Sequence, residues 1–172
     1  ADLVELALTV VAALVRDSGL RPTPRAAREL AEKKLGDGEA YERMEEMIAA
    51  QGGDLEAFIA SPAHAGKVRL AVTAHEGGYV AATDADGVAL AVRQLGGGRL
   101  KKTDEIDFGV GVVLVGKPGD AVERGGPLAE VYAADDDSAQ AAAARLLEAI
   151  QISSEKPVAT PLVLEQLGGA PQ

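Results

Sequence analysis

The stretch GVGVVLVGKPGDAVERGGPLAEVYA, from Gly109 to Ala133, constrains the fold more than any other part of the sequence. One apolar strand is predicted from Val110 to Val115, and another from Leu128 to Tyr132. Between them lie two turns, KPGD and RGG, that enclose a short Ala121-Val122 segment. A chain that reverses twice between two apolar strands predicts a compact β-module.

The first sixty residues carry helical patterns and contain no strand candidate. Gly19 is predicted to end the first helix, because glycine adopts the left-handed conformation at low cost. Thr23-Pro24 is predicted to begin the second helix, which stops at Gly36. A third helix is predicted from Glu39 to Ala50, with a face of Tyr41, Met44, Met47 and Ile48. A short fourth helix is predicted from Leu55 to Ala60.

Apolar side chains cover almost every face of the first helix. They are Leu3, Val4, Leu6, Ala7, Leu8, Val10, Val11, Leu14 and Val15. A helix that is apolar all round is normally buried on all sides. Two interpretations stay open: it is a core helix covered by later segments of the chain, or the chain is a fragment in which this helix has lost its upstream partners.

From Lys67 onward the pattern changes to strands and two further helices. Val68, Leu70 and Val72 alternate with polar or small residues, which predicts a strand. A turn leads to a second strand at 79–82, and Asp84 begins a helix that ends at Gly96. Ser138 is predicted to cap a last helix from Ala139 to Ile150, and the tail from Gln151 is expected to wrap over the domain surface. Helices followed by a β-β-α-β-β-α order predict an α+β fold with antiparallel pairing.

Composition excludes several classes of function. The net charge of −10 disfavours an extended nucleic-acid interface. The chain has no cysteine, which removes disulfides, thiolate zinc sites and a cysteine nucleophile. No apolar run approaches the ~20 residues of a membrane span, and no basic segment precedes the first helix as in a signal peptide. We therefore expect a cytoplasmic protein that contacts neither nucleic acid nor membrane.

Residues with the spacing of catalytic or metal sites are not found. His64 and His75 have no metal-spaced partner and are expected to be exposed. The serines lack a G-x-S-x-G context. The acidic runs at 84–86 and 135–137 precede helices, where carboxylates stabilise the helix dipole. The sequence therefore predicts no catalytic, cofactor-binding or metal-binding residue.

One loop combines glycines with basic side chains in this acidic protein. Its candidate residues are Gly96, Gly97, Gly98, Arg99, Lys101 and Lys102, with Arg93 nearby. The loop follows a helix, so the helix dipole there does not favour an anion. A solvated mobile loop is one interpretation, and a loop that contacts an anion is the other. Because glycines can hinge and the cations can reach a ligand, the loop is the best candidate for ligand-linked movement.

A biotinyl or lipoyl carrier module is the first functional hypothesis for the double-turn stretch. Its support is the pattern of Pro118-Gly119-Asp120, Gly126 and Leu128. Such modules need a lysine at an exposed hairpin tip, in an E-x-M-K-M or D-K-A context. Lys101, Lys102 and Lys117 all lie in other contexts, so the carrier hypothesis fails on its chemistry.

Six segments in order carry a resemblance to a different family. They are DLVEL (2–6), MIAAQGGD (47–54), GGYVAATDADGVALAVRQLGGGR (77–99), KKTDEIDFGVGVVL (101–114), KPGDAVERGGPLAEVYA (117–133) and ISSEKPVATPLVLE (152–165). Together they resemble the C-terminal part of pyrimidine-nucleoside phosphorylases, including thymidine phosphorylase. Bacterial members usually have GAGR where this chain has Gly96-Gly97-Gly98-Arg99, which is a conservative departure.

The resemblance implies an architecture and a reaction. Residues 1–62 would be a helical remnant of the family's central α/β domain. Residues 63–172 would be its C-terminal α+β domain, a hammerhead-like antiparallel β-module with two helices. The family catalyses reversible phosphorolysis of pyrimidine nucleosides to the free base and a pentose 1-phosphate, so phosphate and nucleoside are the implied ligands of the parent enzyme. That enzyme is expected to be a homodimer.

The family's catalytic motifs have no match in this chain. Its phosphate loop, the Arg-Ser-Lys set for the base and the monovalent cation site all belong to upstream regions. We therefore expect the isolated chain to be inactive, without a cofactor, and to self-associate or pack helix 3–17 against a neighbour. The alternative is a stand-alone non-catalytic binding module descended from that domain. The residues that choose between thymidine and uridine lie outside this sequence.

Overall fold

A computed structural model of the protein describes residues 2–60, 66–99 and 101–167. Two compact units are distinguished, one of Ala1–Ser61 with Thr160–Gln172 and one of Pro62–Ala159. Helices make up the regular structure of the first unit, and the second combines helices with two small antiparallel sheets. The predicted α+β class is therefore confirmed, whereas the domain boundaries at 1–62 and 63–172 stay predictions.

Four helices form the first unit, and the sequence predicted each of them. They are α1 (Asp2–Asp17), α2 (Pro24–Gly36), α3 (Glu39–Ala50) and α4 (Leu55–Ala60). The Thr23 side chain accepts a hydrogen bond from the Ala26 backbone N–H at 3.2 Å, so Thr23 caps α2. Gly19 has a φ of 75° just beyond α1, as predicted.

An ion-pair cluster joins α1 to α2. The Arg28 guanidinium donates to both carboxylate oxygens of Glu5, at 2.8 and 2.6 Å, and to Glu32 at 2.6 Å. Hydrogen bonding from Arg28 holds the pKa of Glu5 below its usual value. Polar contacts on a solvent-accessible surface therefore help to hold the two helices together.

Apolar burial in this unit is sparse. Only Ala27, Ala31 and Leu55 are buried among its described residues. Along α1 no residue is buried, and Leu3 and Leu14 expose 79% and 65% of their surface. The predicted apolar face of α3 is exposed as well, at Tyr41, Met44 and Met47. The described residues of this chain thus leave two apolar helix faces without cover.

Among its described residues the second unit has six strands and two α-helices. They are β1 (Val68–Thr73), β2 (Gly78–Thr83), α5 (Ala85–Val92), β3 (Gly111–Leu114), β4 (Ala121–Val122), β5 (Pro127–Ala133), α6 (Asp136–Ala149) and β6 (Ile150–Ser153). One sheet has the order β1-β5-β3 and the other β4-β2-β6. Every pairing is antiparallel, as the sequence predicted.

The core of this unit lies between β5 and α6. Leu128 and Val131 of β5 and Leu146 of α6 are at most 1% exposed. Small side chains, such as Ala129 and Ala142, let the helix approach the sheet closely. This core belongs entirely to residues 66–159, so the second unit buries its own apolar surface.

The predicted start of the last helix is wrong by three residues. Asp135, not Ser138, is the N-cap of α6, and its side chain accepts from the Ser138 backbone N–H at 2.8 Å. The Ser138 hydroxyl donates back to the Asp135 carbonyl at 3.0 Å. The carboxylate outcompetes the hydroxyl because it also interacts with the helix dipole. Hydrogen bonds from Ser138 lower the pKa of Asp135.

The tail also differs from its prediction. Residues 150–153 form β6, which pairs with β2, so the helix ends before Ile150 and not at it. Ile150 and Ile152 reach the core while Gln151 is exposed, which is the period-2 pattern of a strand. From residue 154 to 167 the described chain has no helix or strand. Among the described helices none has the length and apolarity to span a membrane.

Leu146→Ala is expected to lower the free energy of unfolding by about 2–5 kcal/mol, because it opens a cavity in a fully buried site. Leu147→Ala is the matched control, since Leu147 is only partly buried against the same core. Urea unfolding followed by circular dichroism measures both. Equal losses for the two variants would contradict the placement of the core at the β5–α6 interface.

Candidate functional site: the glycine-rich basic loop

The candidate loop begins where helix α5 gives way to a wider turn. Residues Arg93–Gly97 form a π-helical turn, and Gly96 within it has a φ of 96°. That conformation is strained for any residue with a Cβ, so glycine is needed here. π-helical turns recur at functional sites. The helix therefore ends in a backbone geometry that redirects the chain into the loop.

Close packing explains why two further positions of the loop hold glycine. A Cβ at Gly97 would lie 2.8 Å from Cγ1 of Val92 and 3.5 Å from Cγ2 of the buried Val110. At Gly98 a Cβ would lie 2.9 Å from Cγ of Arg93. The hinge function predicted for these glycines is untested, and the geometry gives two of them a packing role as well.

Backbone hydrogen bonds close the loop at both ends. The Asp107 N–H donates to the Gly96 carbonyl at 2.9 Å, which joins the entry of the loop to its exit. Within it, the Lys101 N–H donates to the Asp104 carboxylate at 2.8 Å, and the Asp104 N–H donates to the Lys101 carbonyl at 3.1 Å. The Asp107 carboxylate accepts from the Gly109 N–H at 2.8 Å.

The basic side chains of the loop are exposed. Arg99, Lys101 and Lys102 all face solvent, and within residues 66–99 and 101–167 none of their side chains forms an ion pair. The Arg93 guanidinium donates to the Arg99 carbonyl at 3.1 Å, which fixes the backbone beside the cluster. Cations held on a braced loop can attract an anion at short range without first breaking an internal salt bridge.

A groove lies apart from this loop, at the double-turn stretch. Its volume is about 550 Å³, and its lining includes Val80, Val115, Leu128, Asp120 and Glu123. The turns that border it are as predicted: Gly119 and Gly125 have φ values of 96° and 81°. The Asp120 carboxylate accepts from the Lys117 N–H at 2.9 Å and so holds the first turn.

His75 and Asp84 have the surroundings predicted for them. His75 is exposed, and His64 lies outside the described residues. Asp84 caps α5 by accepting from the Asp86 N–H at 3.1 Å. In the part of the chain that the structure describes, no group of three or more His, Asp or Glu side chains is arranged to hold a metal ion.

Comparison with known proteins shows which family the chain is similar to. Residues 79–153, which hold the candidate loop and the double-turn stretch, match the model of the pyrimidine nucleoside phosphorylase C-terminal domain. Residues 79–153 of this chain are therefore similar to that domain. The predicted resemblance is thereby confirmed.

Curated relatives extend the similarity across nearly the whole chain. A thymidine phosphorylase of Rhizobium meliloti (strain 1021) is 33% identical over 95% of this chain and 38% of its own length. A pyrimidine-nucleoside phosphorylase of Bacillus subtilis (strain 168) is 34% identical over 90% of this chain and 36% of its own length. The chain therefore spans little more than a third of the relatives it matches, and corresponds to their C-terminal portion.

The sequence prediction missed the residues that brace the candidate loop. Asp104 and Asp107 hold its backbone through hydrogen bonds with Lys101, Gly96 and Gly109, and neither aspartate was singled out. A signal was present, because aspartate commonly accepts a hydrogen bond from a backbone N–H two or three residues away. The loop is therefore more ordered than its composition suggested.

Gly97→Ala is expected to destabilise the domain by about 1–3 kcal/mol, because the new methyl group overlaps Val92. Gly111→Ala is the matched control: it adds the same methyl group in the same unit, with no atom within 4 Å. Thermal or urea unfolding of both variants tests this. If Gly97→Ala were as stable as Gly111→Ala, close packing could not be the reason for glycine at position 97.

Proposed function

We propose that this chain is the C-terminal part of a pyrimidine-nucleoside phosphorylase, and that the complete polypeptide is a cytoplasmic homodimer that phosphorolyses pyrimidine nucleosides. The observation that carries the proposal is the match of residues 79–153 to the family's C-terminal domain. In the reaction, phosphate attacks C1′, a C1′–O bond forms and the C1′–N bond to the base breaks. Such a reaction depends on positioning two ligands and stabilising an oxocarbenium-like transition state.

This region serves that reaction as structure, and no residue in it is assigned a catalytic role. The sequence has no match to the family's phosphate loop or to its base-binding set. In the second unit, the core between β5 and α6 gives a stable support on which the candidate loop is carried. In the complete enzyme this region forms part of the wall of the active-site cleft.

The first unit supports the same proposal through its uncovered surface. Helix α1 exposes Leu3, Val10 and Leu14 by half or more of their surface, and it buries none of its residues. Removing such side chains from water stabilises a protein by about 25 cal/mol per Å² of apolar area. In the complete enzyme this face packs against the polypeptide that the relatives have in addition to the matched third.

The basic loop contacts an anionic ligand when the domains of the enzyme close. Arg99, Lys101 and Lys102 carry positive charge that no carboxylate of the described residues neutralises in an ion pair, and Gly96 allows the chain to pivot beside them. Phosphate or a pentose 1-phosphate is the anion that the reaction supplies. The hydrogen bonds that the Asp104 and Asp107 carboxylates accept from backbone N–H groups hold the loop in one shape before it meets the ligand.

A stand-alone binding module remains the second candidate function. The second unit has a complete core of its own, and a domain with that property can exist without a catalytic partner. The natural reading frame of the gene distinguishes the two candidate functions. A frame with several hundred codons and a phosphate loop upstream of Ala1 supports the enzyme, whereas a start codon immediately before it supports the module.

The 172-residue chain alone is expected to release no base from thymidine or uridine in the presence of phosphate. The reason is that the family's phosphate loop and its base-binding set have no match in it. The change in ultraviolet absorbance on release of the base measures the reaction, with the complete phosphorylase as positive control. Turnover by the purified chain would contradict the structural role proposed for it.

In the complete enzyme, replacing Arg99, Lys101 and Lys102 together by glutamine is expected to raise the KM for phosphate several-fold. The effect on the free energy of unfolding is expected to be smaller than the effect on KM. Arg124→Gln is the matched control, because Arg124 is an exposed arginine of the same unit outside the loop. Steady-state kinetics at varied phosphate and at varied ionic strength measure the effect.

Hydrogen exchange of the complete enzyme gives an independent measurement. Amides of residues 101–109 are expected to exchange more slowly when phosphate and nucleoside are both bound. Unchanged protection together with an unchanged KM would rule out the ligand contact while leaving the family assignment intact.

A further inference from the structure

The four edges of the two sheets differ in how they are protected against pairing with another strand. Strand β4 has only two residues, β1 carries the exposed Arg69 and a register shift at Val72/Thr73, and β6 pairs with β2 across a register shift at Val80/Ala82. Short length, charged side chains and bulges are the usual protection of edge strands. Strand β3, with the sequence GVVL, has neither a charge nor a proline nor a bulge.

Backbone groups on the outer edge of β3 are available for pairing. The Val115 N–H donates to the Leu128 carbonyl of β5 at 2.9 Å, so odd-numbered residues here direct their backbone groups toward β5. Successive residues of a strand point to alternate sides, which turns the N–H and C=O groups of Val112 and Leu114 outward. Within the described ranges, β5 is the strand that pairs with β3.

Side chains beside this edge are apolar and accessible. Val113, Leu114 and Val115 expose 38%, 42% and 48% of their surface, and Phe108 just before the strand exposes 89%. Val113 lies opposite Glu130 of β5, on the face of the sheet that also carries Tyr132 and Arg69. The edge therefore offers both free hydrogen-bonding groups and apolar surface.

We propose that β3 is an interaction surface for a second copy of this chain, with the two β3 strands antiparallel about a two-fold axis at Val113. Val112 of each copy then lies opposite Leu114 of the other, and their outward N–H and C=O groups form four hydrogen bonds. The two three-stranded sheets become one of six strands, in the order β1-β5-β3-β3-β5-β1. Continuing the register places each exposed Phe108 beside Pro118 of the second copy.

Self-complementarity selects a second copy as the occupant. The two residues with free backbone groups flank Val113 symmetrically, so a two-fold axis satisfies each of them with an identical strand. Charge selects it too. The chain carries a net charge of −10, but residues 108–116 contain no charged side chain, so identical chains meet here without local repulsion. The proposal goes beyond the enzymatic role of the complete polypeptide and does not depend on it.

Cysteine cross-linking tests the register, and the absence of native cysteine makes the experiment specific. In the proposed pair Val113 lies opposite its own copy without intervening hydrogen bonds, where Cα atoms are about 4.5 Å apart. Disulfides form at Cα separations of about 4.4–6.8 Å. Val113→Cys is therefore expected to give a covalent dimer of the 172-residue chain under mild oxidation.

Val115→Cys is the matched control, on the same strand and the same face. In the proposed register Val115 lies opposite Gly111 of the second copy, so the two Val115 positions are about 13 Å apart. It is expected to remain monomeric on a non-reducing gel. Cross-linking of both variants, of neither, or of Val115→Cys alone would overturn the proposal.

Sedimentation gives the second measurement. Val113→Lys places like charges opposite each other across the axis and is expected to weaken dimer formation at least ten-fold. Ala71→Lys, exposed in the same row of the sheet but on β1, is expected to leave it unchanged. Both are made in a Leu3→Glu, Leu14→Glu background, which removes association through α1. A dimer that survives Val113→Lys, with circular dichroism unchanged, would overturn the proposal.

Discussion

Strand β5 is the element on which the rest of the second unit depends. It is hydrogen-bonded to β1 on one side and to β3 on the other, and its inner face packs on α6. Leu128, Ala129, Val131 and Ala133 of this strand are each at most 1% exposed. Because β3 joins its sheet through β5, the positions of the candidate loop before β3 and of the turns after it depend on that one strand. The edge of β3 is open for the same reason, since β5 occupies its other side.

Local signals explain how much of the fold could be predicted. Helices α1 to α4 were found from periodicity and from Thr23 and Gly19, whose effects act within one helical turn. Strand β6 was missed because Ile150 continues the apolar spacing of α6, and only its pairing with β2 decides between helix and strand. The start of α6 was misplaced because Asp135 and Ser138 are both residue types that cap helices well. Which of the two caps α6 depends on how the backbone enters the helix from the preceding strand.

For the candidate loop, the sequence identified which residues are present but not how they are held. The glycines and cations were recognised by composition, whereas the bond between Asp107 and Gly96 joins residues on either side of the loop and requires the folded chain. For α1 the sequence left two interpretations open, a covered core helix or a helix that has lost its upstream partners, since a helix that is apolar all round is normally expected to be buried. Few residues of the first unit are buried, whereas the second unit has a core of its own, so the described residues leave the apolar surface of α1 uncovered.

The pairing of β1 with β5 also has a consequence for synthesis of the protein. Val68 pairs with Ala133 and Val72 with Ala129, so β1 leaves the ribosome long before its partner exists. Helices α1 to α4 depend on local contacts and can form as they emerge. The alternating apolar strand must instead stay unpaired while α5 and the loop are made. The chain is most exposed to aggregation and to capture by chaperones during this interval of translation. The edge of β3 in the folded protein is a smaller risk.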